Sequence, residues 1–490
     1  MPRIILKNFR ILDETTDVFG SAVLEDGLIR DILPGPAGPS SGGLVIDGSL
    51  WAPDGDLVLM PALVDLHAHF RDPGFPDKET LESAALAAVA GGYGTVVCMA
   101  NTSPVIDTPE KAAALKERAD RLGLIDLYPV ISLTRGMEGR ELSGITALPS
   151  PRYTPRLLSE DGKDVEDDGL FLEALSHARR LGLPVSCHCD AGGPPAAAAK
   201  KAGKSRAVWS RLEENHAVRR AIDLGMKAGA WIHIAHVSTA EAVELIRQTK
   251  AAGATPPFTL TCEATPHHLA LTEETARALG EESRGRVNPP LRTEADRQAL
   301  AAGLLDGTID AIATDHAPHT PEDKLAGAPG FSSLDLGPWG IGGPGGPFSG
   351  AFMSSAEPTS GGSCLAAGGS KARLPQTGTS MLQRISRWVS GAPARILGLG
   401  GEAPSDGGAA APPFTPVSLQ RSPSRGRIAA GFRADLVLVR IGAAWTVDSR
   451  RFRSRGKNTP FEGRTLSGQI LLTIHEGRIV YQAPDAGSEQ

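Results

Sequence analysis

Short apolar, β-branched runs alternate with Ala-, Leu- and Glu-rich stretches between about residues 58 and 320. The first kind of run predicts buried strands, and the second predicts helices such as ETLESAALAAVAGG and DGLFLEALSHARRLG. Eight strands alternating with helices predict an α/β fold, a (β/α)8 barrel of the TIM type. The candidate strands are LVDLHAH, GTVVCMANT, DLYPVISLT, PRLLSEDG, LPVSCHCD, AWIHIAHVS, FTLTCEATPHHL and DAIATDHAP.

Both ends of the chain carry further strand-like runs, such as RIILKNFRIL near the start and QILLTIHEGRIVYQ near the end. Neither end alone has the length or the pattern of a complete domain. We expect residues 1–57 and 425–490 to form one small β-sandwich together, with the barrel of residues 58–400 inserted between them.

Three segments are dominated by Gly, Ser, Pro and Ala, a composition that buries too little apolar surface to offset chain entropy. Residues 191–205 and 341–376 are therefore expected to be flexible loops of the barrel. Residues 401–424 are expected to be a flexible linker.

Composition excludes several classes of protein. The formal net charge of -6 gives no basic surface, which argues against nucleic acid as a partner. No apolar run reaches the length of about 18 residues that a membrane span needs, and MPRIILKNFR is not a signal-peptide core. Five cysteines are too few, and odd in number, for a disulfide framework. We therefore expect a cytoplasmic protein.

His67 and His69 end the first barrel strand, in PALVDLHAHFRDPG. Side chains on a strand repeat every two residues, so both imidazoles point the same way and can bind one metal ion. Arg71 follows at the same spacing, and its planar guanidinium suits a carboxylate. The alternative, a surface salt bridge of Arg71, is less favoured by this spacing.

Polar side chains recur where the other strands end, and in a barrel these ends meet at one mouth. Imidazoles and carboxylates there suit Zn²⁺, with Mn²⁺ or Co²⁺ as alternatives. Six ligands exceed one catalytic zinc, so the set predicts two metal ions about 3.5–4 Å apart. The candidate ligands are His67, His69, Asp161, His188, His236 and Asp315.

One carboxylate of this set must bridge the two ions, and Asp161 is the preferred candidate. Glu160 competes with it but has the opposite strand parity. Lys163 is a third candidate, because a carboxylated lysine bridges the metals in some related barrels, but it lies beyond a glycine.

The motifs HAHFRDPG, VVCMANTSPVID, CEATPHHL, RVNPPLR and ATDHAPHTPEDK resemble those of class I dihydroorotases, and the similarity extends to KNTPFEGRTLSGQILLTIHEGRIVY near the end. The resemblance implies a metal-dependent barrel that reversibly cyclises N-carbamoyl-L-aspartate to L-dihydroorotate in pyrimidine synthesis. It implies two zinc ions bridged by Asp161, a zinc-activated hydroxide and Asp315 as general acid and base.

The same resemblance implies a homodimer or assembly with aspartate transcarbamoylase as possible states. One departure is GPWGIGGPGGPFSG, which stands where the family has a GLET-like turn that closes over the substrate. The resemblance assigns substrate binding to Arg71, Asn101, Asn288 and His319.

Two other functions stay open. A hydantoinase or allantoinase shares the metal set but does not need Arg71 for a ring carboxylate. A non-catalytic dihydroorotase-like scaffold for aspartate transcarbamoylase would have lost metal ligands, whereas this chain retains all six candidates.

Overall fold

The structure is a computed structural model. The segments expected to be flexible, 191–205, 341–376 and 401–424, lie almost entirely outside the residues that it describes. Those residues are 3–35, 42–51, 57–189, 206–253, 257–341, 347–348, 379–400 and 423–484.

The strands fall into one mixed sheet and two parallel sheets. Numbered in chain order they are β1 Ile4–Leu12, β2 Asp17–Glu25, β3 Leu28–Pro34, β4 Leu44–Asp47, β5 Leu57–Pro61, β6 Leu63–Ala68, β7 Tyr93–Cys98, β8 Asp126–Pro129, β9 Leu158–Ser159, β10 Val185–Cys187, β11 Trp231–Ile234, β12 Thr259–Ala264, β13 Ala311–Ile312, β14 Leu436–Thr446, β15 Thr465–His475 and β16 Arg478–Gln482.

Both ends of the chain contribute to the mixed sheet, in the order β16-β15-β14-β5-β1-β2-β3, with β4 paired to β1. β5 lies between the two ends, because it pairs parallel with β1 and antiparallel with β14. A separate hydrophobic cluster that includes Phe9, Leu59 and Leu438 fills this part of the molecule. Strands from both chain ends therefore lie in a single eight-stranded sheet.

The middle of the chain forms two parallel sheets, β6-β7-β8 and β13-β12-β11-β10-β9. Isolated parallel bridges link Ile131 to Leu158 and Ala68 to His316. Each of the eight apolar runs contains one of these strands, so the parallel α/β architecture is confirmed. Because all the strands run the same way, their carboxyl ends share one side.

Helices connect the parallel strands, and local sequence sets where they begin. Thr80, Asp167 and Thr239 are N-caps whose side chains accept from backbone N–H groups of the first turn. None of the described helices is both long and apolar enough to cross a bilayer. The main helices are Leu81–Ala90, Pro109–Leu122, Asp168–Leu181, Arg206–Ala228, Ala240–Ala251, Glu273–Leu279 and Glu294–Asp306, with shorter ones at Gly48–Trp51, Pro266–Ala270, Pro321–Leu325, Met381–Ser386 and Ala392–Ile396.

The apolar run LVLMPALVDL, which looks like one strand, is two strands in different sheets. Pro61 has no N–H to continue the ladder, and the hydrogen-bond partners change directly after it. Ala62 N donates to Asp435 O at 2.9 Å, and Leu63 N donates to Gly92 O at 2.9 Å. The run is therefore not one continuous strand, and the first parallel strand begins at Leu63.

A buried ion-pair network joins the mixed sheet to the parallel strands at the amino end of β8. Arg425 Nη2 lies 2.7 Å from Asp126 Oδ2, and Arg425 Nη1 donates to Thr95 Oγ1 at 3.0 Å. Arg433 pairs with the same Asp126 at 3.1 Å and with Asp435 at 3.3 Å. Because the Arg425 side chain is buried and that of Arg433 nearly so, the network depends on every charge keeping its partners.

We expect Arg425→Met to lower the free energy of unfolding by about 3 kcal/mol, because it leaves Asp126 and Asp435 with reduced compensation in a buried place. Urea unfolding followed by circular dichroism measures the change. The matched control is Arg450→Met, since Arg450 makes an exposed ion pair with Asp448 and should change nothing measurable. Equal stability of the two variants would contradict the role of the network.

Candidate active site

The six candidate ligands lie where parallel strands end. His67 is in β6 and His69 directly follows it. The others lie one to three residues beyond the last residue of their strands, so the shared strand direction brings them to one side of the sheets. These residues are Asp161 after β9, His188 after β10, His236 after β11 and Asp315 after β13.

The carboxylate of Asp161 is the centre of the cluster. Its Oδ1 lies 3.1 Å from His67 Nε2, 3.1 Å from His188 Nδ1 and 3.9 Å from His236 Nε2. Its Oδ2 lies 3.4 Å from His69 Nε2. Two triads of close ligand atoms result, His67–His69–Asp161 and Asp161–His188–His236, and Asp161 belongs to both.

Asp315 joins the cluster on the side of the first two histidines. Its Oδ1 lies 3.2 Å from His69 Nε2 and 3.6 Å from His67 Nε2. Burial would raise the pKa of Asp315, but His69 and His67 lower it below its usual range. The carboxylate is therefore ionised at neutral pH.

The cluster carries surplus negative charge. Burial would lower the pKa of His67, but Asp161 and other nearby carboxylates raise it well above its usual value. Burial would likewise raise the pKa of Asp161, but His67 and His188 hold it well below its usual range. A site that draws a proton onto a buried imidazole in this way also attracts a metal cation.

Unsatisfied atoms point to the same conclusion. His67 Nε2 and Asp161 Oδ1 are buried and make no hydrogen bond within the described chain. Buried polar atoms normally form hydrogen bonds. Two neighbouring buried atoms without one therefore indicate a site for a further binding partner. Imidazole nitrogens with carboxylate oxygens form a donor set that Zn²⁺ accepts. The residues present therefore fit a metal ion.

The two alternative bridging residues are directed elsewhere. The Glu160 carboxylate accepts from Leu133 N at 2.8 Å and Thr134 N at 3.0 Å. Lys163 Nζ donates to Met137 O at 2.9 Å. Of the three candidates for the bridge, Asp161 is the one that contacts the histidines.

A cavity of about 960 Å3 opens over the cluster, a volume within the range of small-molecule sites. All four residues expected to hold the substrate line it: Arg71, Asn101, Asn288 and His319. Four of the candidate ligands line the same cavity: His69, Asp161, His188 and Asp315. The structure thus places the cationic residue and the ligand cluster around one space.

Arg71 and His319 lie side by side, with Arg71 Nη2 at 3.3 Å from His319 Nε2. Burial, together with Arg71 and two lysines, lowers the pKa of His319 to about 3, so this imidazole is neutral at physiological pH. Burial lowers the pKa of Arg71 to about 10, so the guanidinium stays charged. A charged guanidinium beside a neutral imidazole is suited to one carboxylate, because the guanidinium supplies two parallel N–H donors.

Comparison with known proteins gives the family. A family model described as Dihydro-orotase-like matches residues 56–242. The dihydroorotase of Caldanaerobacter subterraneus subsp. tengcongensis is 34% identical over 490 residues, covering 98% of this chain and 97% of that protein. The dihydroorotase of Clostridium botulinum is 32% identical over 479 residues, covering 98% and 99%. This chain belongs to the dihydroorotase family.

Comparison with solved structures shows which known proteins share this fold. The L-hydantoinase (dihydropyrimidinase) of Arthrobacter aurescens matches with a TM-score of 0.75 at 21% identity, covering 99% of this chain and 97% of that chain. The dihydropyrimidinase of Brevibacillus agri matches with a TM-score of 0.74 at 19% identity, covering 98% and 95%. At such identities the likeness concerns the fold alone, which this dihydroorotase-family chain shares with those amidohydrolases.

Sequence reasoning missed the groups that orient the histidines. His67 Nδ1 lies 3.3 Å from Glu263 Oε1, and His233 Nε2 lies 3.1 Å from Glu263 Oε2. His69 Nδ1 lies 2.9 Å from Asn101 Oδ1, so Asn101 also contacts a candidate ligand. An acceptor on Nδ1 leaves Nε2 directed at the centre in both imidazoles. A signal for Glu263 existed, because an acid in the buried strand β12 needs a compensating partner.

The other strand-end histidines stay outside the ligand triads. His268 Nε2 lies 2.9 Å from Pro289 O, and His316 Nδ1 accepts from Ser333 N at 3.0 Å. His267 is buried, and burial lowers its pKa to about 4, so its ring is neutral. Cys187 and Cys189, which flank His188, are buried free thiols.

Three residues of this site have positive φ angles: Arg71 at 56°, His236 at 33° and Asp315 at 46°. Residues other than glycine rarely adopt positive φ angles, and those that do are concentrated at functional sites. Each one lies just beyond a strand; Arg71 and Asp315 line the cavity, and His236 reaches the carboxylate of Asp161.

We expect Glu263→Gln to weaken metal binding about 10–100-fold, because the amide is a poorer acceptor for the His67 ring and changes its orientation. Metal content after dialysis against graded chelator measures the effect. Glu244→Gln, on an exposed helix surface, is the control and should bind metal as the parent does. Unchanged affinity in Glu263→Gln would show that Glu263 does not orient the ligand.

Proposed function

We propose that this protein is a dihydroorotase, which interconverts N-carbamoyl-L-aspartate and L-dihydroorotate plus water in pyrimidine biosynthesis. The observation that carries the proposal is the shared cavity, where Arg71 and His319 adjoin the ligand cluster around Asp161. Relatives named dihydroorotase align over 98% of the chain, which supports the same activity. The direct test is metal analysis of the purified protein, coupled to assays with both compounds.

A hydantoinase or allantoinase activity is the second candidate. It is supported by the solved structures of similar fold, which are named hydantoinase or dihydropyrimidinase. Cyclic amides of that kind carry no ring carboxylate for the Arg71 guanidinium. Turnover of dihydroorotate against hydantoin and allantoin decides between the candidates. A non-catalytic scaffold is disfavoured, because the six candidate ligands are retained and lie together.

We propose two zinc ions as the metal complement. His67, His69 and Asp315 would hold one ion, and His188 and His236 the other, with Asp161 shared. When bound, such a pair lowers the pKa of a water molecule and polarises the amide carbonyl.

The protein's own groups supply the proton transfers. In the hydrolytic direction the Asp315 carboxylate, ionised at neutral pH, accepts the proton of the attacking water. It then donates that proton to the ring nitrogen as the amide C–N bond breaks. In the synthetic direction the same carboxylate removes a proton from the carbamoyl nitrogen as this nitrogen forms the C–N bond to the side-chain carboxyl carbon. It then donates that proton to the departing oxygen as the C–O bond breaks, so that water leaves.

The substrate is oriented by its carboxylate. The Arg71 guanidinium donates parallel hydrogen bonds to it, and the neutral His319 ring lies beside that guanidinium. Asn101 and Asn288 line the cavity at positions that suit the remaining polar atoms of the ring. Anchoring the carboxylate holds the amide carbonyl over the ligand cluster, which lowers the entropic cost of reaching the transition state.

The finer architecture is part of the same proposal. The bridges Ile131–Leu158 and Ala68–His316 give every parallel strand two neighbours, which supports closure of the two sheets into one barrel. The separate hydrophobic cluster of the mixed sheet supports a sandwich built from both chain ends. The homodimer, the aspartate transcarbamoylase partner and the cytoplasmic location stay predictions.

Asp315→Asn should abolish turnover, by more than about 100-fold, because the amide cannot accept a proton. Its metal content should be largely preserved, since the amide oxygen remains a possible ligand. Rates in both directions and metal analysis on one preparation measure the two effects. Asp306→Asn, at an exposed helix end, serves as control. Near-normal activity of Asp315→Asn would remove Asp315 from the acid–base role.

Arg71→Lys should raise KM for dihydroorotate by about 10-fold or more while leaving metal loading unchanged, because an ammonium cannot form the two parallel bonds. Steady-state kinetics with parallel metal analysis check this. Arg247→Lys, which alters an exposed ion pair, is the control. An unchanged KM would count against Arg71 as the carboxylate ligand.

A further inference from the structure

Lys324, the last residue of ATDHAPHTPEDK, is almost fully buried at 1% exposure. Its Nζ lies 2.7 Å from Arg286 O, 2.7 Å from Ala328 O and 2.9 Å from Gly330 O. An ammonium has three N–H donors, so the three carbonyls use all of them. The Phe331 ring centroid lies 5.4 Å from the same nitrogen.

This ammonium is costly to bury. Within the described part of the chain Lys324 makes no ion pair, and burial with the nearby Arg286 charge lowers its pKa to about 7. Carbonyl acceptors and an aromatic face offset that cost through charge-assisted bonds. Because the hydrogen bonds of this ammonium go to backbone carbonyls, the ammonium determines where those carbonyls lie.

The three carbonyls belong to two segments that meet at the cavity. Asn288 lines the cavity two residues after Arg286, and Pro329 and Gly330 line it on the second segment. Gly330 N donates to Arg286 O at 3.0 Å, so the ammonium and one amide share that acceptor. We call Asn288, Pro329 and Gly330 the cavity wall.

The cavity wall contacts the groups expected to bind the substrate carboxylate. His319 Nε2 lies 2.9 Å from Pro329 O, and Lys78 Nζ lies 3.4 Å from His319 Nδ1. With Nδ1 accepting from Lys78, Nε2 carries the hydrogen and donates to the wall. A Cβ built on Gly330 would lie 2.5 Å from the Ala317 side chain, so the glycine allows the wall to pack closely against Ala317.

We propose that Lys324 is a positioning residue for substrate binding, whose ammonium fixes the cavity wall and thereby the orientation of His319 beside Arg71. The inference rests on the proposed function, because it assigns Lys324 to binding of the substrate carboxylate. Without the ammonium, the carbonyls of Ala328 and Gly330 lose the donor that they share. The carbonyl of Pro329, which lies between them in the chain and accepts from His319, then loses its fixed position. Lys324 itself touches neither the substrate nor the ligand cluster.

The test is Lys324→Met, which keeps an unbranched side chain of similar length and removes the charge. We expect KM for dihydroorotate to rise about tenfold or more while kcat changes less than about threefold, with metal content unchanged. Lys324→Gln keeps two N–H donors, so its KM should lie between that of the parent protein and that of Lys324→Met. If Lys324 served the fold alone, its replacement would not raise KM stepwise from Lys324→Gln to Lys324→Met while leaving kcat nearly unchanged.

The matched control is Lys250→Met. Lys250 Nζ also donates to a backbone carbonyl, Thr308 O at 2.9 Å, and to Asp310 Oδ2 at 2.7 Å. These partners precede β13, at the strand end opposite to the cavity. Loss of this lysine should leave KM unchanged.

Each outcome decides a separate question. If the parent protein does not turn over dihydroorotate, the proposed function fails. If the parent is active and folded Lys324→Met keeps the parent KM, the inference on Lys324 is overturned. It is overturned as well if kcat falls with KM unchanged, or if neither Lys324 variant folds, since Lys324 would then serve the fold alone.

Discussion

The site depends on the repulsion among carboxylates buried together. Asp161, Asp315 and Glu263 are all almost fully excluded from water around His67. Like charges this close in a dry interior are unfavourable unless cations or proton donors compensate them. Histidines provide part of that compensation, and the raised pKa of His67 shows that a positive charge is still favoured there. The demand for a cation is thus built into the folded protein.

Much of this arrangement could be predicted from the sequence. The spacing of His67 and His69 at the end of an apolar run predicts one edge able to bind metal, because strand geometry fixes which side chains share a face. Parallel strands then bring Asp161, His188 and Asp315 to the same side, as the structure shows. This shared placement could be predicted because it depends on periodicity and strand direction, which are properties of short segments.

Other features could not be predicted, because they depend on tertiary contacts. Pro61 in LVLMPALVDL marks a place where a ladder can end, but the run does not indicate that the two halves join different sheets, since both are equally apolar. The positive φ of His236 and the carbonyl partners of Lys324 arise from packing between distant segments. Glu263 gave a weak signal, since a buried acid implies a partner without identifying it. Sequence periodicity therefore finds the ligands more readily than the groups that orient them.

The place of β5 has a consequence for any attempt to shorten this protein. Its two ladder neighbours, β1 and β14, come from opposite ends of the chain, and Pro61 stands only six residues before His67. Deleting either terminus would leave a bare backbone edge next to the first metal-binding strand, and such edges promote aggregation. The part of the chain that forms the parallel sheets is thus not a separable module, because β5, which leads directly into β6, is paired with segments from both termini.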